Sequence, residues 1–162
     1  MSPVMSLRPV PLPAGIPGRL WLGAMPGRFE SWEAFEQEAA RTRLGLVVCL
    51  APRTEMAELS PEYHAALVRG GLDWRWMNVP MRNFGLPEDP AAFRRDIATI
   101  AQELRNGGSV LLHCAAGLGR TGSAAACLLK SLGVPEDAAL RQVRTAGSNP
   151  QNAEQSGLVH WF

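Results

Sequence analysis

The chain has 162 residues, and its 16 Lys and Arg against 15 Asp and Glu leave a net charge of +1. That length suits one domain with its own core, and 46% hydrophobic with 19% charged residues is an ordinary soluble composition. The neutral balance argues against a polybasic surface, so neither nucleic acid nor a membrane is an expected partner.

Residues 1–18 hold five prolines and two glycines and read as an extended or partly disordered lead-in, with a single domain expected over 19–162. The prolines break the apolar stretch a secretory signal needs, and no apolar run approaches a membrane span. "RLWLGAMPG" (19–27) reads as a short strand stopped by Pro26-Gly27. "SWEAFEQEAARTR" (31–43) reads as a helix capped by Ser31, and "LGLVVCL" (44–50) as a buried strand. "SPEYHAALVRGG" (60–71) has Ser60 as cap, Pro61 at the first helical position and a glycine stop. "DWRWMNVPM" (73–81) alternates as a strand does, and "NFGLPEDP" (83–90) is a loop of turn residues. From Pro90 to Asn106, Phe93, Ile97, Ile100 and Leu104 trace one helical face. "SVLLHC" (109–114) is a further strand, and helices are expected near 120–132, 135–145 and 151–161. Strands alternating with helices predict a three-layer α/β/α fold around a mainly parallel sheet, with ligands at the carboxyl ends of the strands. Trp21, Trp32, Trp74, Trp76 and Trp161 are expected to pack, one of them at the mouth of a pocket.

The strand at 109–114 delivers "HCAAGLGRTG", His113 to Gly122. Gly117, Gly119 and Gly122 form a literal G-x-G-x-x-G, but a dinucleotide fold needs a strand after the helix carrying an acid, and none follows. A phosphate-binding Walker loop needs lysine where Arg120 stands. His113 and Cys114 point to opposite faces of a strand, and His64, His160, Cys49 and Cys127 lack ligand spacing, so no metal and no cofactor are expected. The three cysteines are widely spaced with no C-x-x-C, which points to a reducing cytoplasm.

The stretch does suit an anion. Backbone N–H groups from Ala115, Ala116, Gly117, Leu118, Gly119 and Arg120 can converge on one phosphate, and the small residues let the backbone approach. A helix start near Arg120 adds its positive end, a field that also favours Cys114 as thiolate. Arg120 offers a planar fork for two phosphate oxygens. A thiolate within a phosphate cradle implies phosphoryl transfer through a phosphocysteine. Thr121 could donate to the sulfur as it leaves, and His113 is read as a positioner bonded to neighbouring backbone.

His113, Cys114, Gly117, Arg120, Thr121 and Gly122 fill every position of H-C-x-x-G-x-x-R-T-G. The chain thereby resembles the cysteine-dependent protein tyrosine phosphatases, in particular their compact dual-specificity-like, bacterial-type branch. The resemblance implies Cys114 as nucleophile, Arg120 as phosphate and transition-state binder, and a phosphorylated protein or peptide as substrate of a monomeric enzyme. It also implies an acid in a loop resembling Pro-Ile/Met-x-Asp-x-Gly-x-Pro. Here Pro80, Gly85 and Pro87 match while Asn83 holds the acid position, and an amide is no general acid. Three readings stay open: a substrate-trapping substitution, a replacement acid in Glu88 or Asp89, or a phosphate-binding pseudophosphatase. Glu88 and Asp89 also suit the start of a helix, and Asp73 lies at the wrong end of its strand. In "AGSNPQNAEQ" (146–155) the resemblance implies that Gln155, or else Gln151, places the hydrolytic water. Ala115, Ala116, Leu118 and Gly119 include no base, unlike family members that take phosphoinositides, so phosphotyrosine or another lightly charged phosphoester is the expected substrate, with dual specificity open. Sulfur transfer of the rhodanese type is the remaining alternative, although its loop tends to be shorter.

Overall fold

The structure is a computed structural model that describes residues 7–82 and 85–162. Its strands are β1 (Arg8–Val10), β2 (Arg19–Gly23), β3 (Leu46–Cys49), β4 (Arg75–Asn78) and β5 (Ser109–His113), ordered β1-β2-β5-β3-β4 in one sheet. β1 runs antiparallel to β2, and the other four are parallel. The helices are α1 (Trp32–Arg41), α2 (Arg53–Leu59), α3 (Pro61–Arg69), α4 (Pro90–Arg105), α5 (Gly119–Ser131), α6 (Glu136–Thr145) and α7 (Ala153–Trp161).

β3 and β5 are buried along their whole length, so their apolar residues must serve two cores in alternation. Leu46, Val48, Val110 and Leu112 pack with Ile97 of α4, Leu128 of α5, Val143 of α6 and Val159 of α7. Val47, Cys49 and Leu111 pack on the other face with Phe35 of α1, Met56 of α2 and Tyr63 of α3. This is the three-layer α/β/α arrangement expected, with a mostly parallel sheet.

Central β5 is flanked by β2, whose crossover helix α1 lies on one face, and by β3; α4, which leads into β5, lies on the other face. Gly23 and Cys49 both pair with His113 in register, so the three strands end level. The loops that follow them open together where helices diverge to opposite faces, the usual ligand position in such sheets.

Most helix starts behave as the sequence predicts. Ser31 accepts from the Ala34 N–H (3.1 Å), and Asp89 accepts from Ala91 and Ala92 (3.1 Å each), with Pro90 opening α4. Ser60 differs: its hydroxyl caps nothing and donates to Pro26 O at 2.7 Å, pinning the loop after β2. Three further corrections concern elements. The lead-in contributes β1, with Leu7 and Val10 buried in the cores; residues 1–6 lie outside the described part. α2 occupies a segment with no helical expectation. Trp161 is 81% exposed rather than packed. No helix among the described residues is long and apolar enough to cross a membrane.

Candidate active site

After β5 the chain turns through 114–118 and enters α5 at Gly119, where no side chain caps the first N–H groups. Those donors are left for a ligand, and the positive end of the α5 dipole points the same way. Gly117 has φ +75°, and a Cβ there would lie 2.5 Å from Gly23 C and O. Gly117→Ala is therefore expected to cost more than about 2 kcal/mol and to displace the turn, as urea unfolding would show.

Cys114 is 3% exposed, and its Sγ accepts from Gly117 N (3.3 Å) and Thr121 Oγ1 (3.0 Å). Both donors favour negative charge on sulfur. Burial pushes the thiols of Cys49 and Cys127 up to about 12, so neither is ionised at neutral pH. The Arg120 guanidinium faces both Glu55 oxygens (Nη2 to Oε2 2.7 Å, Nη1 to Oε1 3.3 Å) and donates to Met81 O at 3.2 Å. Its fork is thus aligned by a carboxylate, whose two oxygens it grips as it would two oxygens of a phosphate.

A buried chain of hydrogen bonds stands behind the loop. Trp76 Nε1 donates to the Tyr63 hydroxyl (2.8 Å), which lies 2.8 Å from His113 Nε2; His113 Nδ1 lies 3.1 Å from Cys114 O. A carbonyl only accepts, so Nδ1 carries the proton, Nε2 accepts, and Tyr63 donates. Burial holds the Tyr63 hydroxyl protonated and lowers His113 to about 4. The unfolded chain binds a proton near 6.5 that folded His113 refuses until about 4, so stability falls as pH drops through that window. At about 1.4 kcal/mol per unit, His113 alone accounts for a loss of about 3 kcal/mol. Urea unfolding at pH 7 and pH 4 should show a smaller loss in His113→Gln than in the parent; equal losses would remove His113 as the cause.

Other groups hold the turn from outside. Gly117 O accepts from Arg8 Nη2 (2.7 Å) and Ser148 Oγ (2.6 Å), while Arg8 Nη1 donates to Ala146 O at 2.6 Å. Burial lowers Arg8 from the ordinary arginine range, and charge on Cys114 opposes that shift. Ala115 O accepts from Met25 N at 3.3 Å. A Cβ on Gly122 would meet the backbone of Asn149 at 2.5 Å, and one on Gly119 would meet Gln155 Oε1 at 2.8 Å, so the late loop sits directly on the start of α5.

These elements enclose a cavity of about 610 Å³. Cys114, Ala115, Ala116, Leu118, Gly119 and Arg120 line its floor and wall, together with Gln151 and Gln155. Gln155 is fully buried; its Oε1 accepts from Gln151 N (2.8 Å) and its Nε2 has no partner among the described residues. Glu55, Glu58, Leu59 and Arg28 complete the lining. Asn83 lies outside the described residues, but the base of its segment is fixed: Met81 bridges Pro87, and Met81 O accepts from Arg120. Asp89 is spent on the α4 cap, Glu88 is exposed, and neither lines the cavity. Among the described residues no group of His, Cys, Asp and Glu gathers as a metal would require.

Arg8, Glu55, Tyr63, Trp76 and Ser148 escaped sequence reasoning. Tyr63 had one signal, as the chain's single tyrosine on the inner face of a helix. The rest reach the loop from distant sequence positions.

A parallel sheet whose central strand presents a cysteine, an anion-binding turn and an arginine defines a cysteine-dependent phosphatase of the compact dual-specificity type. The chain belongs to the family described as PTP-SAK: Swiss Army Knife protein, DSP-PTPase phosphatase domain, which it matches over residues 18–157. No curated relative matches the sequence. Among solved structures it is similar to kinase associated phosphatase with its catalytic-site cysteine replaced by serine, at TM-score 0.80 and 20% identity over 98% of this chain and 93% of that one. Tk-PTP in the active form is similar at TM-score 0.69 and 27% identity, with 90% and 92% covered. A mouse putative dual specificity phosphatase complexed with zinc tungstate follows at TM-score 0.70 and 18% identity, with 99% and 89% covered.

Proposed function

We propose that the chain hydrolyses phosphomonoesters, with protein phosphotyrosine as its principal substrate, through a phosphocysteine on Cys114. One observation carries the reading: Cys114 Sγ sits under two hydrogen-bond donors at the uncapped start of α5, with Arg120 on the same cavity. The thiolate attacks phosphorus, the ester P–O bond breaks, and the tyrosyl oxygen leaves as the phenolate and takes its proton from water, since Asn83 has none to give. Arg120 and the N–H groups of 115–120 bind the equatorial oxygens, where charge spreads in the transition state. Water then attacks phosphorus and displaces Sγ, to which Thr121 already donates. The unpartnered Gln155 amide on the cavity wall supports a role in holding that water. His113 acts through the carbonyl of Cys114 and touches no reacting atom, so it is a positioning residue. Every group named belongs to the chain itself, and a reducing cytoplasm would keep Cys114 from oxidation.

Two features favour a lightly charged substrate. The variable positions Ala115, Ala116, Leu118 and Gly119 carry no cation, and on the rest of the wall Glu55 and Glu58 offset Arg120 and Arg28. The test is steady-state hydrolysis of a phosphotyrosine peptide beside phosphoserine and phosphothreonine versions, with acid-quenched protein assayed for thiol-linked phosphate. Turnover with phosphate on Cys114 supports the proposal. Binding without turnover, or sulfur transfer from thiosulfate, would replace it.

A further inference from the structure

We infer that the opposite end of the sheet holds a second anion site, built to take a compact phosphate-bearing small molecule. A cavity of about 500 Å³ opens at the amino ends of β2 and β5, lined by Arg19, Arg41, Arg43, Trp21, Ser109 and the backbones of Gly45, Gly107 and Gly108. Its volume falls within the range of small-ligand sites. Three arginines line it and no acidic residue does, although the Glu103 side chain packs against Gly108 at its edge.

The charges cancel only in part. Glu38 of α1 and Glu103 of α4 belong to the helices whose ends frame the cavity, and each already holds an arginine: Glu38 pairs with Arg41 and Glu103 with Arg75. Arg19 and Arg43 have no carboxylate within ion-pair distance among the described residues. The wall between them is rigid, because Trp21 Nε1 donates to Ser109 Oγ (3.0 Å), which donates to Thr42 O (2.9 Å). Pro17, Thr42 and glycine backbone line the rest, so few side chains stand in a ligand's way.

Arg43 supplies an independent observation. It is the one non-glycine residue among those described with positive φ, at 55°. α1 ends there in a double closure, with Arg43 N donating to Ala40 O (3.1 Å) and Leu44 N to Ala39 O (2.9 Å). Glycine is the usual residue at that position because a Cβ is strained in it. An arginine held there gives up stability at a place where glycine would fit, and it sets a free cation on the cavity. Strain of this kind is a mark of sites kept for a ligand. Planar guanidinium forks from the start of β2 (Arg19) and the end of α1 (Arg43) suit two adjacent phosphoryl groups.

The test is an amide NMR titration of the full chain with inorganic pyrophosphate and, separately, with adenosine diphosphate. The amides of Gly45, Gly107 and Gly108 and the Trp21 indole report the far end, while Ala116 to Arg120 report the phosphatase loop. Two groups of resonances should titrate with different constants. Arg19→Gln combined with Arg43→Gly should weaken the far-end constant about tenfold or more and leave the loop constant unchanged. Tighter binding of adenosine diphosphate would assign a nucleotide, and equal binding the phosphates alone. Arg43→Gly alone should melt at a higher temperature than the parent. Still far-end resonances, or a far-end constant indifferent to the double variant, would overturn the site. A lower melting temperature for Arg43→Gly would overturn the reading that Arg43 is held there for a ligand.

Discussion

Cys114→Ser is expected to lower hydrolysis of a phosphotyrosine peptide to less than about one ten-thousandth of the parent rate. The donors around Sγ favour a thiolate, but a serine hydroxyl in the same place stays protonated and no base stands ready to take its proton. His113 cannot serve, because its Nδ1 proton lies on Cys114 O and its Nε2 accepts from Tyr63. Binding should survive the change, since Arg120 and the turn's N–H groups are untouched. Calorimetry should therefore find the peptide's Kd within about tenfold of the parent value. A variant that keeps more than one hundredth of the rate would move the nucleophile away from Cys114.

Asn83→Asp is expected to raise the same rate by about 10²–10⁴-fold, the usual contribution of a placed general acid. A tyrosyl oxygen is a poor leaving group until protonated, whereas nitrophenolate leaves readily without help. The gain should therefore be large on phosphotyrosine and much smaller on nitrophenyl phosphate, and the ratio of the two rates reads the effect directly. Equal, small changes on both substrates would mean another acid already serves. Glu55 and Glu58 would then be the groups to mutate, because they line the cavity while Asp89 caps α4 and Glu88 lies outside it. Glu55 is bound to Arg120, which leaves Glu58 the freer of the two.

What the sequence reveals depends on how far a contact reaches along it. The phosphate turn occupies ten consecutive residues, His113 to Gly122, so its chemistry can be read without any knowledge of the fold. The parallel strands are legible for a related reason, since burial on both faces demands continuous apolar runs. α2 is not, because its seven residues include one buried side chain, Met56, and show no repeating apolar face. β1 is hidden by Pro9, which reads as a breaker yet is tolerated on an edge strand. The supports of the site were beyond reach altogether. Tyr63 meets His113 across 50 residues, Glu55 meets Arg120 across 65, and Arg8 meets Gly117 across 109.

That last contact bears on where the protein can be cut. The family match begins at residue 18, and a fragment trimmed to that boundary would keep Cys114, Arg120, Thr121 and His113. It would nevertheless lose both Arg8 hydrogen bonds, leaving Gly117 O to Ser148 alone and Ala146 O without its Arg8 donor. Nicking by a protease just after β1, or a fusion partner that levers this edge strand off the sheet, would act on the phosphate turn without touching any residue of the signature. β1 is in this sense a removable strut, and it offers a handle for loosening the catalytic loop from outside it.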